Sequence, residues 1–177
     1  MSAPLWREET RRERYDRKAL SAKTLPVSIC TVNFGCDENL GLVIRAAVCY
    51  GAESVMVIGS IPSDTYLRPK TGSTLNYIKL LRFDTPHDFL EHCRANDLNV
   101  VSAELCDDAT DLNHFGFDFS KKTVIVVGNE NTGVPAEIIH NSQPVFIPMN
   151  GIGYSMNTGV TAGIVTNEYS RQFSLRL

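Results

Sequence analysis

The sequence contains no long hydrophobic segment and no excess of positive charge. None of its apolar runs approaches the roughly 18 residues that cross a bilayer. Its charged first residues are not followed by the apolar stretch of a secretory signal, so we expect a cytoplasmic protein with no membrane partner. The formal net charge is −3, whereas a large nucleic-acid-binding surface usually brings a basic excess. Composition alone therefore does not indicate a nucleic-acid ligand.

Paired spacings of metal ligands are also absent from the sequence. The five cysteines include no CxxC pair, which argues against a zinc site and favours free thiols that are buried or inert. His87 and His92 are five residues apart, which separates them by about 140° around a helix. We therefore predict that the protein holds no metal ion.

Several familiar catalytic and phosphate-binding motifs are missing or incomplete. No GxxxxGK[ST] segment occurs. The segment 151–156 begins like a dinucleotide-binding loop, but Met156 replaces the third glycine and the segment lies near the C-terminus. The segment 153–157 resembles a nucleophile elbow that lacks its last glycine. A hydrolase built on Ser155 would also need a histidine partner.

The hydrophobic pattern predicts a single α/β domain, a parallel sheet with helices on both faces, because strand-like and helix-like segments alternate. The run 123–127 has no polar alternation, which is typical of a strand buried on both faces. We place a charged arm at residues 1–24 and the domain at 25–177. The predicted strands are 27–32, 54–58, 77–83, 99–104, 123–127 and 145–149; the helices run from 37 or 39 to 50, then 85–96, 135–140 and 157–173; loops cover 62–74 and 107–121.

Local signals mark the ends of several predicted helices. Asp37 or Asn39 can cap the first of them, and Gly51 can end it. Thr85 is a candidate N-cap with Pro86 at the first helical position. The basic residues of the N-terminal arm could contact phosphates. The alternative for the arm is a solvated helix or frayed tail with ion pairs between residues four apart.

Three polar, glycine-containing segments follow predicted strands. They are Asn39–Arg45, Val127–Pro135, and Ile147–Met149 with Gly153–Asn157. In α/β proteins, ligands collect where strands end and helices begin. The sequence therefore predicts one site built from three distant parts of the chain.

Taken in order, these segments resemble the three motifs of the SpoU/TrmH-like branch of the SPOUT superfamily, the RNA ribose methyltransferases. The resemblance covers about residues 27–173. It implies a deep C-terminal trefoil knot, S-adenosylmethionine as cofactor, RNA as substrate, and a homodimer whose site lies near the subunit interface. The matching residues are Asn39 and Arg45; Gly128, Glu130 and Gly133; and Ile147, Pro148, Met149, Gly151, Ser155, Met156 and Asn157.

The resemblance also implies roles for individual residues. The expected catalytic residues are Arg45, Asn39, Glu130, Ser155 and Asn157. The expected cofactor-binding residues are Val127, Gly128, Glu130, Gly133, Ile147, Met149, Gly151, Ser155 and Met156. The glycines allow backbone to approach a ligand, and Ile147, Met149 and Met156 offer apolar walls for adenine.

The family credits the arginine of its first motif, here Arg45, with activating the ribose hydroxyl. A guanidinium with a pKa above about 12 is a poor base. We therefore expect Arg45 to bind the adjacent phosphate or hydroxyl and to stabilise the developing oxyanion, while a base role stays open. On its own, Arg45 could simply pair with an acidic neighbour, and Asn39, Ser155 and Asn157 could simply cap helices.

Two questions about function follow from the sequence. Transfer RNA is the preferred substrate, because the chain has no separate RNA-binding domain, and ribosomal RNA is the alternative. The segment Thr158-Gly159 departs from the family, which usually has a branched apolar residue and a serine there. That departure motivates a second hypothesis, a module that binds S-adenosylmethionine or RNA without catalysing transfer.

Overall fold

The computed structural model describes residues 9–33 and 35–176, and these form seven strands, six α-helices and one short 3-10 helix. In chain order they are α1 (Arg11–Ala19), β1 (Leu25–Val32), α2 (Asp37–Tyr50), β2 (Ala52–Ile58), α3 (Asp64–Lys70), the 3-10 helix (Leu75–Tyr77), β3 (Lys79–Phe83), α4 (Pro86–Ala95), β4 (Asn99–Ala103), β5 (Thr110–Asp111), β6 (Thr123–Val127), α5 (Ala136–Ile139), β7 (Gln143–Phe146) and α6 (Thr158–Ser174).

All seven strands belong to one sheet in the order β3-β2-β1-β6-β4-β7-β5. Every neighbouring pair is parallel, which confirms the predicted parallel α/β architecture. In the centre of the sheet, Thr31 pairs with Val127, and Val127 pairs with Ala103 on its other side. The carboxyl ends of β1, β6, β4 and β7 consequently lie side by side, and the segments that follow them meet at one edge.

Apolar side chains of the strands pack against helices on both faces of the sheet, as predicted. On one face, Ile125 belongs to a core that includes Ile44 of α2 and Val165 of α6. On the other face, Val126 belongs to a core that includes Phe89 of α4 and Ile138 of α5. All five residues of β6 are buried, in agreement with the unbroken apolar pattern of that strand.

Helices α2 and α6 pack closely against each other at the start of α6. A Cβ added to Gly159 would lie 2.7 Å from the Cβ of Leu42, which is shorter than any ordinary contact. The glycine therefore allows the first turn of α6 to lie directly on α2. Further along α6, the hydroxyl of the buried Tyr169 donates a hydrogen bond of 3.0 Å to the carbonyl of Pro26.

Two of the predicted helix-end signals are confirmed. Gly51 ends α2 with a φ of 72°, the left-handed region that glycine adopts without strain. The hydroxyl of Thr85 accepts the backbone N–H of Asp88, whose carboxylate in turn accepts the backbone N–H of Thr85. This capping box starts α4, with Pro86 in its first turn.

Three local predictions are wrong. The segment 62–74 is not a loop throughout, because it contains α3, which buries Leu67 and tolerates Pro69 near its end. The strand expected at 145–149 is instead β7 (Gln143–Phe146), since the chain leaves the sheet before Ile147. The N-cap position of α2 is held by Cys36, which makes no side-chain cap bond, and Asp37 is the first helical residue. Neither Asp37 nor Asn39 is therefore the cap. The segment 107–121 is irregular as predicted, except for the two residues of β5.

The charged arm contains a helix that is docked onto the domain. The aromatic rings of Tyr15 in α1 and Tyr77 stack with centroids 5.7 Å apart. The Tyr77 hydroxyl donates a hydrogen bond of 2.8 Å to Asp16, and the Tyr15 hydroxyl donates a long one of 3.4 Å to the carbonyl of Gly72. Residues 1–8 of the predicted arm lie outside the described residues. Among the helices of the described part, none has the length and apolar character needed to cross a membrane.

Candidate functional site

A cavity of about 450 Å³ opens where β6, β4 and β7 end. The ends of these strands supply Val127, Ala103 and Phe146, and the segments that follow the strands supply most of the other walls. Loops that follow parallel strands form such clefts because the strand ends share one edge. The remaining lining residues are Glu104, Leu105, Gly128, Asn129, Glu130, Asn131, Gly133, Val145, Ile147, Met149, Tyr154, Ser155, Met156, Thr158 and Thr161.

The structure brings together all but one of the residues that we expected to bind a cofactor. Those that line the cavity are Val127, Gly128, Glu130, Gly133, Ile147, Met149, Ser155 and Met156. Gly151 is the exception: it is exposed, and a Cβ added there would meet no atom within 4 Å. The prediction that Gly151 allows a close approach of backbone to the ligand has no support in this geometry.

The segment between Gly128 and Gly133 forms a closed turn whose shape depends on both glycines. Asn129 and Gly133 exchange two backbone hydrogen bonds, each of 3.0 Å. Gly133 has a φ of 67°, and a Cβ on Gly128 would lie 2.2 Å from the carbonyl carbon of Gly133. A side chain at Gly128 would force the backbone to move, and one at Gly133 would strain the backbone and meet the carboxylate of Glu104. The turn therefore presents main-chain groups to the cavity.

Three predicted polar residues form one hydrogen-bonded chain beside this turn. The amide nitrogen of Asn157 donates to the side-chain oxygen of Asn39 over 2.8 Å. The amide nitrogen of Asn39 donates to the carboxylate of Glu130. The side-chain oxygen of Asn157 also accepts the backbone N–H groups of Gly159 at 2.9 Å and Val160 at 3.2 Å. Asn157 therefore caps α6, which is the alternative role predicted for it from the sequence. It also links α6 to α2 and to the turn.

The carboxylate of Glu130 is held in its ionised form. Burial opposes its ionisation, but hydrogen bonds from Asn39 and from the backbone N–H groups of Glu130, Gly35 and Cys36 favour the charged form. The net effect is a pKa below the usual range for glutamate. The bond from Gly35 measures 2.9 Å, and it joins the turn after β6 to the segment that follows β1.

Arg45 lies on an exposed face of α2 and is not part of this cavity. Its guanidinium lies against Gly72, where an added Cβ would be 3.4 Å from the Arg45 Nε. Within residues 9–33 and 35–176, Arg45 has no ion-pair or hydrogen-bond partner. The simple alternative of a surface salt bridge on α2 is thus not seen in the described residues. One chain does not bring Arg45 together with Glu130 and Ser155.

Ser155 lies in the cavity wall without a base to activate it. It is exposed, and no histidine is among the residues that line the cavity. The described part of the chain also contains no group of three or more His, Cys, Asp or Glu side chains able to hold a metal ion. This geometry gives no support to a hydrolase built on Ser155.

The sequence interpretation missed several residues of the cavity. Glu104 follows β4 directly, and its carboxylate accepts the backbone N–H of Val134 over 2.7 Å. Tyr154 and Thr158 lie within or beside the third segment, so their position near the expected site was a usable signal. No comparable signal pointed to Glu104, because only the order of the strands in the sheet brings β4 next to β6.

A second cavity, of about 530 Å³, lies at the opposite edge of the sheet, near the first residues of β4 and β7. None of the predicted site residues lines it. Its walls come from α4, the start of β4 and the residues after α5, among them Arg94 and His140. The larger volume does not make it the better candidate, since the second and third polar segments line the other cavity and Asn39 of the first is hydrogen-bonded to them.

A comparison of the sequence with protein families finds a family model that spans most of the chain, including all three polar segments. The model of the SpoU rRNA Methylase family matches residues 26–167. This chain belongs to that family. The resemblance predicted from the three segments is therefore confirmed, and the chain is a member of a family of RNA methyltransferases.

Individual relatives agree with this assignment. The chain is 23% identical over 162 residues to a tRNA (guanosine(18)-2′-O)-methyltransferase of Escherichia coli. The aligned region covers 90% of this chain and 70% of the relative. A TrmH/SpoU tRNA modifying enzyme of Aquifex aeolicus has the same fold, with a TM-score of 0.78, 23% identity, and coverage of 93% of this chain and 84% of that one.

A second solved structure is similar and contains a ligand. It is the AdoMet-bound rRNA methyltransferase of Sinorhizobium meliloti, with a TM-score of 0.76 and 26% identity. The similarity covers 82% of this chain and 56% of that one. Relatives that act on tRNA and relatives that act on rRNA thus share this fold.

Proposed function

We propose that this protein transfers a methyl group from S-adenosylmethionine to the 2′-oxygen of an RNA ribose, with tRNA as its substrate. In this proposal, residues 25–177 are the methyltransferase domain and residues 1–24 the arm. The observation that carries it is the cavity lined by the second and third family segments, to which Asn39 of the first segment is joined through its hydrogen bond to Glu130. The relatives that act on tRNA support the choice of tRNA.

The cavity suits an adenosyl compound in volume and chemistry. Its volume of about 450 Å³ lies within the ordinary range of small-molecule sites. Ile147, Met149 and Met156 provide apolar surface for the adenine, and the turn at Gly128–Gly133 offers main-chain donors and acceptors. When bound, S-adenosylmethionine supplies a methyl group on a positively charged sulfur, and transfer leaves a neutral thioether.

The asparagine and glutamate side chains position the segments around this cavity. The chain of bonds from Asn157 through Asn39 to Glu130 joins α6, α2 and the turn after β6. Because Glu130 and Ser155 both line the cavity, they are placed to contact the ligand directly. We assign to Asn39 and Asn157 the orientation of these segments, and to Ser155 a hydrogen bond to the cofactor or the ribose.

In this proposal Arg45 acts at the cavity of a second subunit. Glu38, Leu42, Arg45 and Cys49 form an exposed stripe on α2, with intervals of three and four residues that place them on one face. Leu42 is 40% exposed and Val160 of the adjacent α6 is 47% exposed, so this face is partly apolar. A homodimer formed through it would bring Arg45 near the partner's cavity, where it binds a phosphate or hydroxyl and stabilises the oxyanion.

We assign to the arm the role of guiding RNA toward Arg45. Helix α1 is docked through Tyr15 onto Gly72, and Gly72 lies against the Arg45 side chain. Arg12, Arg17 and Lys18 on α1 are exposed. Phosphate contacts of this kind weaken steeply as salt concentration rises. Deletion of residues 1–22 should therefore weaken RNA binding and reduce the slope of its salt dependence.

The decisive experiment is a methylation assay with labelled donor and purified tRNA or ribosomal RNA, followed by digestion to nucleosides. We expect a 2′-O-methylated nucleotide in tRNA, and a loss of about 100-fold or more for Arg45→Ala, the magnitude typical when a donor to a developing oxyanion is removed. The matched control is Arg94→Ala on α4, on the opposite face of the sheet. A methylated product in ribosomal RNA alone would make ribosomal RNA the substrate in place of tRNA. The absence of any product in either RNA, with no difference between wild type and Arg45→Ala, would refute the function.

The alternative of a catalytically silent binding module has lost its motivation. The unusual Gly159 lies against Leu42, where packing of α6 on α2 requires a glycine. Its presence is explained by helix contact and not by a lost catalytic group. Binding of S-adenosylmethionine and tRNA by calorimetry, with no turnover over many hours, is the result that would restore this alternative.

Two further expectations belong to the same proposal. We expect residues near the C-terminus to form the trefoil knot of the family, which an experimental chain trace through segments 128–135 and 147–157 would test. We also expect the protein in the cytoplasm with its RNA substrate, and cell fractionation with an antibody would test that location.

A further inference from the structure

The cavity walls carry two carboxylates and no basic side chain. Glu104 follows β4 and Glu130 follows β6, and every other lining residue is uncharged. Among the described residues, neither carboxylate has an ion-pair partner; their hydrogen bonds come from backbone N–H groups and from the neutral Asn39. The cavity therefore presents uncompensated negative charge to whatever occupies it.

Glu104 is fixed in place by the turn that forms the opposite wall. One carboxylate oxygen accepts the backbone N–H of Val134 over 2.7 Å, and the other accepts that of Leu105 over 3.0 Å. A Cβ on Gly133 would lie 2.4 Å from the first of these oxygens, which shows how closely the carboxylate approaches the turn. An ionised carboxylate has about four acceptor positions, so two hydrogen bonds leave capacity for a ligand.

We propose that Glu104 makes the cavity distinguish the methyl donor from the spent product by charge. The inference rests on the proposed function, since it concerns S-adenosylmethionine and S-adenosylhomocysteine in that site. The two compounds differ by one methyl group and one positive charge on sulfur. A fixed negative charge in the cavity wall attracts the positively charged donor and gives no such attraction to the product, whose sulfur is neutral. Glu104 thereby favours exchange of product for fresh donor after each transfer.

The test compares the affinities of both compounds for the wild-type protein and for Glu104→Gln by titration calorimetry. Glutamine has nearly the same shape, and its carbonyl oxygen can still accept the N–H of Val134, so the bond to the turn is kept. Its amide nitrogen cannot accept the N–H of Leu105, so that bond is lost for donor and product alike. We expect the donor to bind about tenfold more weakly, equivalent to about 1.4 kcal/mol, and the product to change less than twofold. Glu91→Gln, which removes a charge from the exposed face of α4, should change neither affinity.

An equal loss for donor and product would show that Glu104 only supports the turn, and it would overturn the proposal, as would two unchanged affinities. Glu104→Asp keeps the charge and should keep the preference for the donor. If Glu104→Gln does not fold, the salt dependence of the wild-type protein decides: donor binding should weaken relative to product binding as salt screens the charge, and a constant ratio would overturn the proposal. Failure of the wild-type protein to bind either compound would refute the proposed function itself.

Discussion

Replacement of Gly128 by alanine tests the cavity most directly. The added Cβ would lie 2.2 Å from the carbonyl carbon of Gly133, 2.4 Å from the nitrogen of Val134 and 2.7 Å from the Cα of Gly133. All three are backbone atoms, so no side chain can rotate away. The opposite side of the turn has to retreat by about 1 Å, because real Cβ contacts below 3.0 Å essentially never occur.

That movement pulls apart the two hydrogen bonds of 3.0 Å between Asn129 and Gly133. At about 1 kcal/mol for each bond, the expected loss in the free energy of unfolding is about 2 kcal/mol. For a domain of this size, such a loss lowers the melting temperature by about 4–8 °C. Binding of S-adenosylmethionine should fall further than stability, because the same turn forms a wall of the cavity.

The measurements are thermal unfolding by circular dichroism and calorimetric titration with the donor. Gly116→Ala is the matched control, since a Cβ there would meet no atom within 4 Å. Gly151→Ala is a second control, because the family resemblance and the structure lead to different expectations there. The resemblance assigns Gly151 to the cofactor, whereas the structure leaves it in open space. Gly128→Ala with unchanged melting temperature and affinity would refute the role assigned to the turn.

The remaining predictions concern acid stability, docking of the arm and thiol reactivity. Because folding lowers the pKa of Glu130, its ionised carboxylate stabilises the folded protein above the unfolded pKa of about 4.3, and this stabilisation is lost as pH falls through the folded pKa. Denaturant unfolding should therefore show the difference in free energy of unfolding between wild type and Glu130→Gln shrinking at low pH. A difference that stays constant with pH would contradict the assignment. Tyr77→Phe removes the hydroxyl that bonds Asp16, so limited proteolysis should cut α1 several times faster while the core melts within about 1 °C of wild type; equal cutting rates would argue against this anchor. Burial raises the pKa of the Cys93 thiol to about 12 and that of the Cys30 thiol well above its usual value. A thiol reagent should therefore modify the other three cysteines first, and Cys30 and Cys93 only in denaturant. Rapid reaction of all five thiols in the folded protein would contradict the packing.

Features determined by neighbouring residues could be predicted from the sequence. Thr85, Pro86 and Asp88 together specify the start of α4, and Gly51 specifies the end of α2 through its own backbone conformation. The unbroken apolar run of β6 indicated a central strand because alternation is lost only where both faces are covered. The segments around Gly128 and Asn157 were found because they follow such strands.

Features determined by the spatial order of strands could not be predicted in this way. Glu104 belongs to the cavity only because β4 pairs with β6, although β5 separates them in the sequence. Arg45 belongs to the first family segment, yet its position on the helix turns it away from Asn39 and the cavity. Six residues of separation correspond to about 240° around a helix. The helix α3 was missed when 62–74 was assigned to a loop, because burial of Leu67 against the rest of the fold stabilises a helix there.

The bond between Asn157 and Asn39 spans 118 residues of the chain. A polypeptide emerging from the ribosome can pair β1 with β2 early, but the walls of the cavity close only when nearly all of the chain has been synthesised. Contacts between such distant segments form slowly, because a long loop has to close before they are made. Ligand binding can therefore stabilise only finished molecules, and products terminated before α6 should gain no protection from the methyl donor against cellular proteases.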